Sequence, residues 1–168
     1  AINALVRGTA TVTWQNKSVD TNFMGTDSGY QDVVNFTMNR GQFMGSGDID
    51  GGANVVVLGS TVSEQLFGGT GVDPVGQVIK VRSSSQTNVG GVPLRVTGVI
   101  NPRGSAFFQD QDDQIFIPLP IAQGQLLGIR HLQAINIKVD SASHIDQTLT
   151  DVTNVLKPIV IINNPDPL

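Results

Sequence analysis

The residues of this chain that could do chemistry are few. Asp110-Gln111-Asp112-Asp113 is the densest acidic run, and two chemistries fit it: holding a hard cation, or working as a paired acid and base. Asp48-Ile49-Asp50-Gly51 alternates carboxylates ahead of a glycine, as a calcium-binding loop does. Histidine is limited to His131 and His144, and cysteine is absent. Ser60 follows a β-branched run and precedes a helical pattern, the place a nucleophilic serine takes on a strand-to-helix turn.

Each of these meets a spacing test. With Ser46 as the first position of a calcium loop, Asp48, Asp50 and Gly51 fall at positions 3, 5 and 6, but the twelfth is Val57, which has no carboxylate. Asp112 and Asp113 are adjacent and point apart on an extended chain, so the acidic run reads as a structural or solvated loop. Cation binding by Asp110, Asp112 and Asp113 stays open to titration with calcium or manganese. His131 and His144 have no metal-ligand spacing to each other or to a carboxylate pair. Ser60 lacks the flanking glycines of a Gly-x-Ser-x-Gly elbow, and helix capping accounts for it. Gly68-Gly69-Thr70-Gly71 follows a helix and has no Gly-Lys-Ser/Thr after it, so it is not a phosphate loop. No catalytic, cofactor-binding or metal-binding residue is assigned, and the chain is expected to be neither an enzyme nor a cofactor carrier.

Composition narrows the class further. The 168 residues, 17.8 kDa, suit one domain or two small lobes. Only 14% of residues are charged, the formal net charge is −4, and 39% are hydrophobic, which excludes a self-repelling disordered chain. Asn, Gln, Ser and Thr supply 49 residues, a polarity that leans towards an extracytoplasmic protein. The ten Lys and Arg are scattered singly, which gives no footprint for nucleic acid. No apolar run reaches the length of about 18 residues that a spanning helix needs. Ala1-Ile2-Asn3-Ala4 opens as though cut from a longer chain.

The elements that must position these residues are mostly strands. Ala10, Val12 and Trp14 alternate with Thr9, Thr11 and Thr13, so a half-buried strand is expected, with a turn at Gln15-Asn16-Lys17 and a returning strand over 18–26. Gly45 to Gly52 reads as a surface loop. Ala53 to Leu58 predicts a buried strand, followed by a helix capped by Thr61 with Glu64, Ser60 competing, and stopped by Gly68. Strands are expected over 76–82 and 92–100, with Val78, Ile79, Val81, Leu94, Val96 and Val99 in the core. Ser105 to Asp113 is loop-like, and Ile115 to Ile117 is a strand closed by Pro118. Pro120 opens a helix that Gly128 stops. A strand over 134–139 then leads to a helix capped by Ser143, with Ile145, Leu149, Val152 and Leu156 on one face.

Six ordered fragments resemble one family. They are Arg40-Gly41-Gln42-Phe43 with Asp48; Val55-Val56-Val57-Leu58-Gly59-Ser60-Thr61-Val62; Leu66-Phe67-Gly68 with Asp73-Pro74-Val75-Gly76-Gln77-Val78-Ile79; Val96-Thr97-Gly98-Val99 before Asn101-Pro102; Gln109 to Asp113; and Ile115-Phe116-Ile117-Pro118-Leu119. Together they are similar to the extracytoplasmic core domain of MacB-like ABC transporter permeases, over about residues 19–155.

That resemblance implies an α+β fold, β-rich with few short helices, in which a porter-like α/β lobe carries an inserted mostly-β lobe. Residues 1–168 would be one such domain lacking its N-terminal part, with lobes at 1–30 plus 130–160 and at 31–129. It implies an extracytoplasmic bacterial location, attachment through membrane helices outside this chain, and ATP hydrolysis in a separate nucleotide-binding domain. The domain would relay nucleotide-driven movement to an adaptor, an exported peptide or lipoprotein, or a dimer mate. The rival expectation, from low charge and many short strands, is a self-assembling cell-surface module without a transport role.

Overall fold

A computed structural model describes residues 2–34, 36–84, 91–103, 105–106, 109–129, 132–137, 145–147 and 149–151. Residues 2–136 make one compact unit, and Ala1 with 137–168 makes a second. The larger unit is built on strands β1 (Ile2–Trp14), β2 (Lys17–Thr26), β3 (Met38–Gly41), β4 (Val55–Leu58), β5 (Val78–Ser83), β6 (Val92–Ile100), β7 (Ser105–Ala106), β8 (Gln109–Asp110) and β9 (Gln114–Pro118). Its helices are α1 (Tyr30–Val34), α2 (Ser46–Asp50), α3 (Ser60–Phe67) and the single turn α4 (Leu119–Ile121), which runs on as a π-helical stretch Ala122–Leu127. Strand β10 (Ala134–Ile137) begins in this unit and joins the sheet beside β1.

The strands close into a barrel. β1 pairs antiparallel with β2, β2 parallel with β9, β9 antiparallel with β4, and β4 parallel with β6. β6 then pairs antiparallel with β5, and β5 returns to β1. Closure removes the open edges that an isolated sheet would expose. β3 and β10 remain outside the ring, on β6 and β1, and each is four residues long. Strands from residues 2–26 and from residues 55–118 thus share one barrel.

Side-chain alternation decides which face fills the barrel. On β1, Val6, Ala10, Val12 and Trp14 point inwards, where Trp14 meets Phe67 of α3 with ring centroids 4.4 Å apart. Thr9, Thr11 and Thr13 face out, as the alternating sequence predicts. β5 contributes Ile79 and Val81, β6 Leu94 and Val96, and β9 Ile115 and Ile117. Val78 is the exception among the expected core residues: it is 56% exposed. The strand begins at Val78, so the even-numbered positions of β5 take the outer face.

β4 is buried on both faces, which explains its unbroken run of apolar residues. Val56 and Leu58 enter the barrel, whereas Val55 and Val57 join a second core outside it. That core holds Leu5, Met24, Tyr30, Phe36, Met44 and Phe116. Tyr30 lies 5.1 Å from Phe116 by ring centroid, and Phe36 lies 5.2 Å from Phe43.

Four local expectations are corrected. The stretch Gly45 to Gly52 is not all loop: α2 forms there because Ile49 is buried and the Asp48 carboxylate accepts the Gly45 N–H at 3.1 Å. α3 starts at Ser60 with Gly59 as its N-cap and has no side-chain cap, so the Thr61–Glu64 box does not form. The left-handed residue after α3 is Gly69 at φ +73°, with Gly68 at −57°. Gly128 does stop its helix in the left-handed region, at φ +66°. Part of the loop-like stretch from Ser105 is a small β7–β8 hairpin. His131, Val139, Ser143, His144, Val152 and Leu156 lie outside the described residues. In the smaller unit, residues 145–147 and 149–151 are helical, with Ile145 and Leu149 exposed.

One glycine measures how tightly the barrel is filled. A Cβ at Gly25 on β2 would stand 2.2 Å from the Ala122 Cβ and 2.9 Å from Val6. Gly25→Ala is therefore expected to lower stability by about 1–3 kcal/mol. Gly124→Ala, where an added Cβ meets nothing within 4 Å, should cost less than about 0.5 kcal/mol. Urea unfolding of the two variants checks this, and equal midpoints would show that the helix–barrel contact has slack.

Candidate functional site

The acidic loop is the first place to look for chemistry, and the structure ties its described carboxylates to the scaffold. Asp112 is buried, and its Oδ1 accepts the backbone N–H of Arg103 at 2.8 Å. Its carbonyl accepts the N–H of Thr61 at 3.2 Å, while the Gln114 carbonyl accepts that of Gly59 at 2.8 Å. The loop thus satisfies the open N–H groups at the start of α3, the task expected of a Thr61 cap. Asp113 turns elsewhere and accepts the Thr21 hydroxyl at 2.7 Å. Of Asp110, only the strand position in β8 is described. Gly59 is obligatory here because a Cβ would meet the Asp112 carbonyl oxygen at 2.3 Å.

The other sequence candidates are equally scaffolded. Asp48 binds the Gly45 N–H, and Asp50 ends the same short helix. Ser60 opens α3 and lines a groove of about 260 Å³ together with Asn39, Arg40, Glu64, Phe67 and Pro102. Arg40 spans to Asp73 at 3.4 Å, an exposed pair that contributes about 0–1 kcal/mol. A second groove, about 470 Å³, is lined by Thr9, Thr11, Asp20, Asn22, Ser84 and Asp113. Its Asp20 accepts the Thr11 hydroxyl at 2.8 Å. Among the described residues no group of three or more His, Asp or Glu could hold a metal ion.

What the fold does gather is charge on one outer face. Lys80 and Arg82 alternate along β5, and Arg95 of β6 stands opposite Val78. All four side chains are exposed. The sequence alternation could have shown the first two residues; adding Arg95 requires the β5–β6 register.

The model for the MacB-like periplasmic core domain matches residues 1–155. The chain belongs to that family. It is 34% identical over 149 residues to the macrolide export ATP-binding/permease protein MacB of Rhodospirillum rubrum, covering 87% of this chain and 22% of that protein. It is 34% identical over 128 residues to the probable syringafactin export ATP-binding/permease protein SyfD of Pseudomonas syringae pv. tomato, covering 76% and 18%. The chain therefore spans about a fifth of the length of the curated relatives it matches. In fold it is similar to the periplasmic region of MacB from Actinobacillus actinomycetemcomitans, with a TM-score of 0.70 at 19% identity, covering 93% of this chain and 66% of that one. The extracellular domain of the noncanonic ABC-type transporter YknZ from Gram-positive bacteria gives a TM-score of 0.69 at 20% identity, covering 88% and 68%. This MacB-like core domain is thus an α+β, sheet-rich fold with short helices, as the resemblance implies.

The clasp predicts two results. Asp112→Ala should cost about 1–3 kcal/mol, because a partly buried backbone N–H loses its acceptor, whereas Asp113→Ala should cost about 1 kcal/mol or less. Calcium or manganese at millimolar concentration should leave the melting temperature unchanged. A rise that Asp112→Ala abolishes would show a cation site instead.

Proposed function

We propose that this domain is the extracytoplasmic part of an ABC transporter permease and couples nucleotide-driven movement to a partner beyond the membrane. The single observation that carries the reading is the family match over residues 1–155, supported by relatives whose names describe ATP-binding/permease proteins. ATP hydrolysis then belongs to a nucleotide-binding domain outside this chain, and membrane anchoring to helices outside it. Among the described residues no helix is long and apolar enough to cross a membrane. The partner is an adaptor, an exported peptide or lipoprotein, or a second copy of the domain.

The physical part of this reading is stiffness. A domain that relays movement must transmit displacement without unfolding locally, and a closed barrel with two packed cores does so because interiors compress little. The four-residue β3 and β10 at the ends of the sheet work against growth into fibres, which disfavours the self-assembly rival.

This chain has no cysteine, so Ser18→Cys at an exposed turn-proximal position adds the one thiol within it, read against the full-length protein without the substitution. In intact cells making the full-length gene product, a membrane-impermeant maleimide should label this cysteine. Labelling only after lysis would contradict the extracytoplasmic reading. In the same full-length protein, deleting residues 2–136 should abolish export while ATP hydrolysis persists. Export that survives the deletion would overturn the coupling role.

A further inference from the structure

We propose that the outer face of β5 and β6 is a docking surface for an acidic segment of a partner protein. The inference rests on the reading of this domain as one that engages a partner outside the membrane, and it names the surface and the partner's chemistry. The starting observation is a concentration of positive charge on a chain whose formal net charge is −4. Lys80 and Arg82 point outwards from β5, and Arg95 points outwards from β6. The register sets Arg95 opposite Val78, which makes it the diagonal neighbour of Lys80, about 7–8 Å away between backbones.

Like charges this close weaken a sheet unless something neutralises them. Among the described residues none of the three makes an ion pair; the one ion pair there joins Arg40 to Asp73. The nearest carboxylate by register is Asp20, on the far side of β1 from Arg82. That carboxylate accepts the Thr11 hydroxyl at 2.8 Å. Among the described residues the face therefore carries charge with no ion-pair partner, for which a negatively charged partner is the complement.

Val78 completes the pattern. It is 56% exposed, the second most exposed of the large apolar side chains among the described residues after Leu149, and it sits among the cations beside exposed Pro93. An apolar centre rimmed by Arg and Lys is the anatomy of a protein interface. Three cations also fall short of the cluster of about 4–8 that anionic lipid recognition uses. Both edges of β5 are already paired, to β1 and to β6. The partner thus cannot add a strand here and must be held by side chains. A patch this small makes a weak, salt-sensitive contact.

The test uses the whole 168-residue chain and a fluorescein-labelled octapeptide of alternating Glu and Leu. Fluorescence anisotropy should show binding that weakens about tenfold between 50 and 300 mM NaCl. The double variant K80E/R82E should bind at least about tenfold more weakly. The double variant R7E/K17E, with the same change in net charge, should stay within about twofold. If K80E/R82E melts early, R95Q replaces it and should bind severalfold more weakly. Three results would overturn the proposal: no peptide binding, equal losses in both double variants, or binding to vesicles containing phosphatidylglycerol in place of the peptide. Each of these would leave the permease reading standing, since that reading is tested by labelling and export in the full-length protein.

Discussion

Strand β5 is the piece on which the barrel depends, because it is hydrogen-bonded along both edges, to β1 across Lys80–Ser83 and to β6 across Val78–Val81. Without it the ladder from β1 through β2, β9 and β4 to β6 would be an open sheet with two long unpaired edges. With it, Val12, Ile79, Val81, Leu94, Ile115 and Ile117 meet in one buried interior. The rest follows from that closure. α3 packs Val62, Leu66 and Phe67 against the same interior, and the loop before β9 holds the start of α3 in place. Asp112 belongs to this framework: its buried carboxylate accepts the Arg103 N–H and its carbonyl accepts that of Thr61.

Much of the fold was legible in the sequence because its signals are local. The alternation of Ala10, Val12 and Trp14 with threonines marked β1 and its inward face, and the apolar run at Val55–Leu58 marked a strand buried on both sides. Gly128 marked a helix end. Barrel closure left no such trace, since it depends on β5 reaching a strand that lies more than sixty positions earlier. Val78 was misread for a related reason: a β-branched residue at a strand's first position looks like core until the register fixes its face. α2 escaped notice because a helix made of Ser-Gly-Asp-Ile-Asp has poor propensity. It forms because tertiary burial of Ile49 overrides that preference.

The candidate sites divide in the same way. Carboxylate clusters and strand-to-helix serines are visible in sequence, but their partners are not, and the partners decide the role. Asp112 faces the backbone of Arg103 and Asp113 faces Thr21, so neighbours in sequence serve different elements. The family fragments succeeded where single residues did not. They encode junctions, such as Gly59 against the carbonyl of Asp112, that geometry permits few residues to occupy.

The central claim is that the ring of six strands behaves as one rigid body able to pass movement through the domain. Native-state hydrogen exchange on the amides of β5, compared with those of β1 and β6, tests it most directly. The account predicts that the paired amides of all three strands exchange only through global unfolding, with the same free energy and the same denaturant dependence. Exchange of β5 by a low-energy opening of its own, with β1 and β6 still protected, would contradict it. The barrel would then be an open sheet with a loose latch.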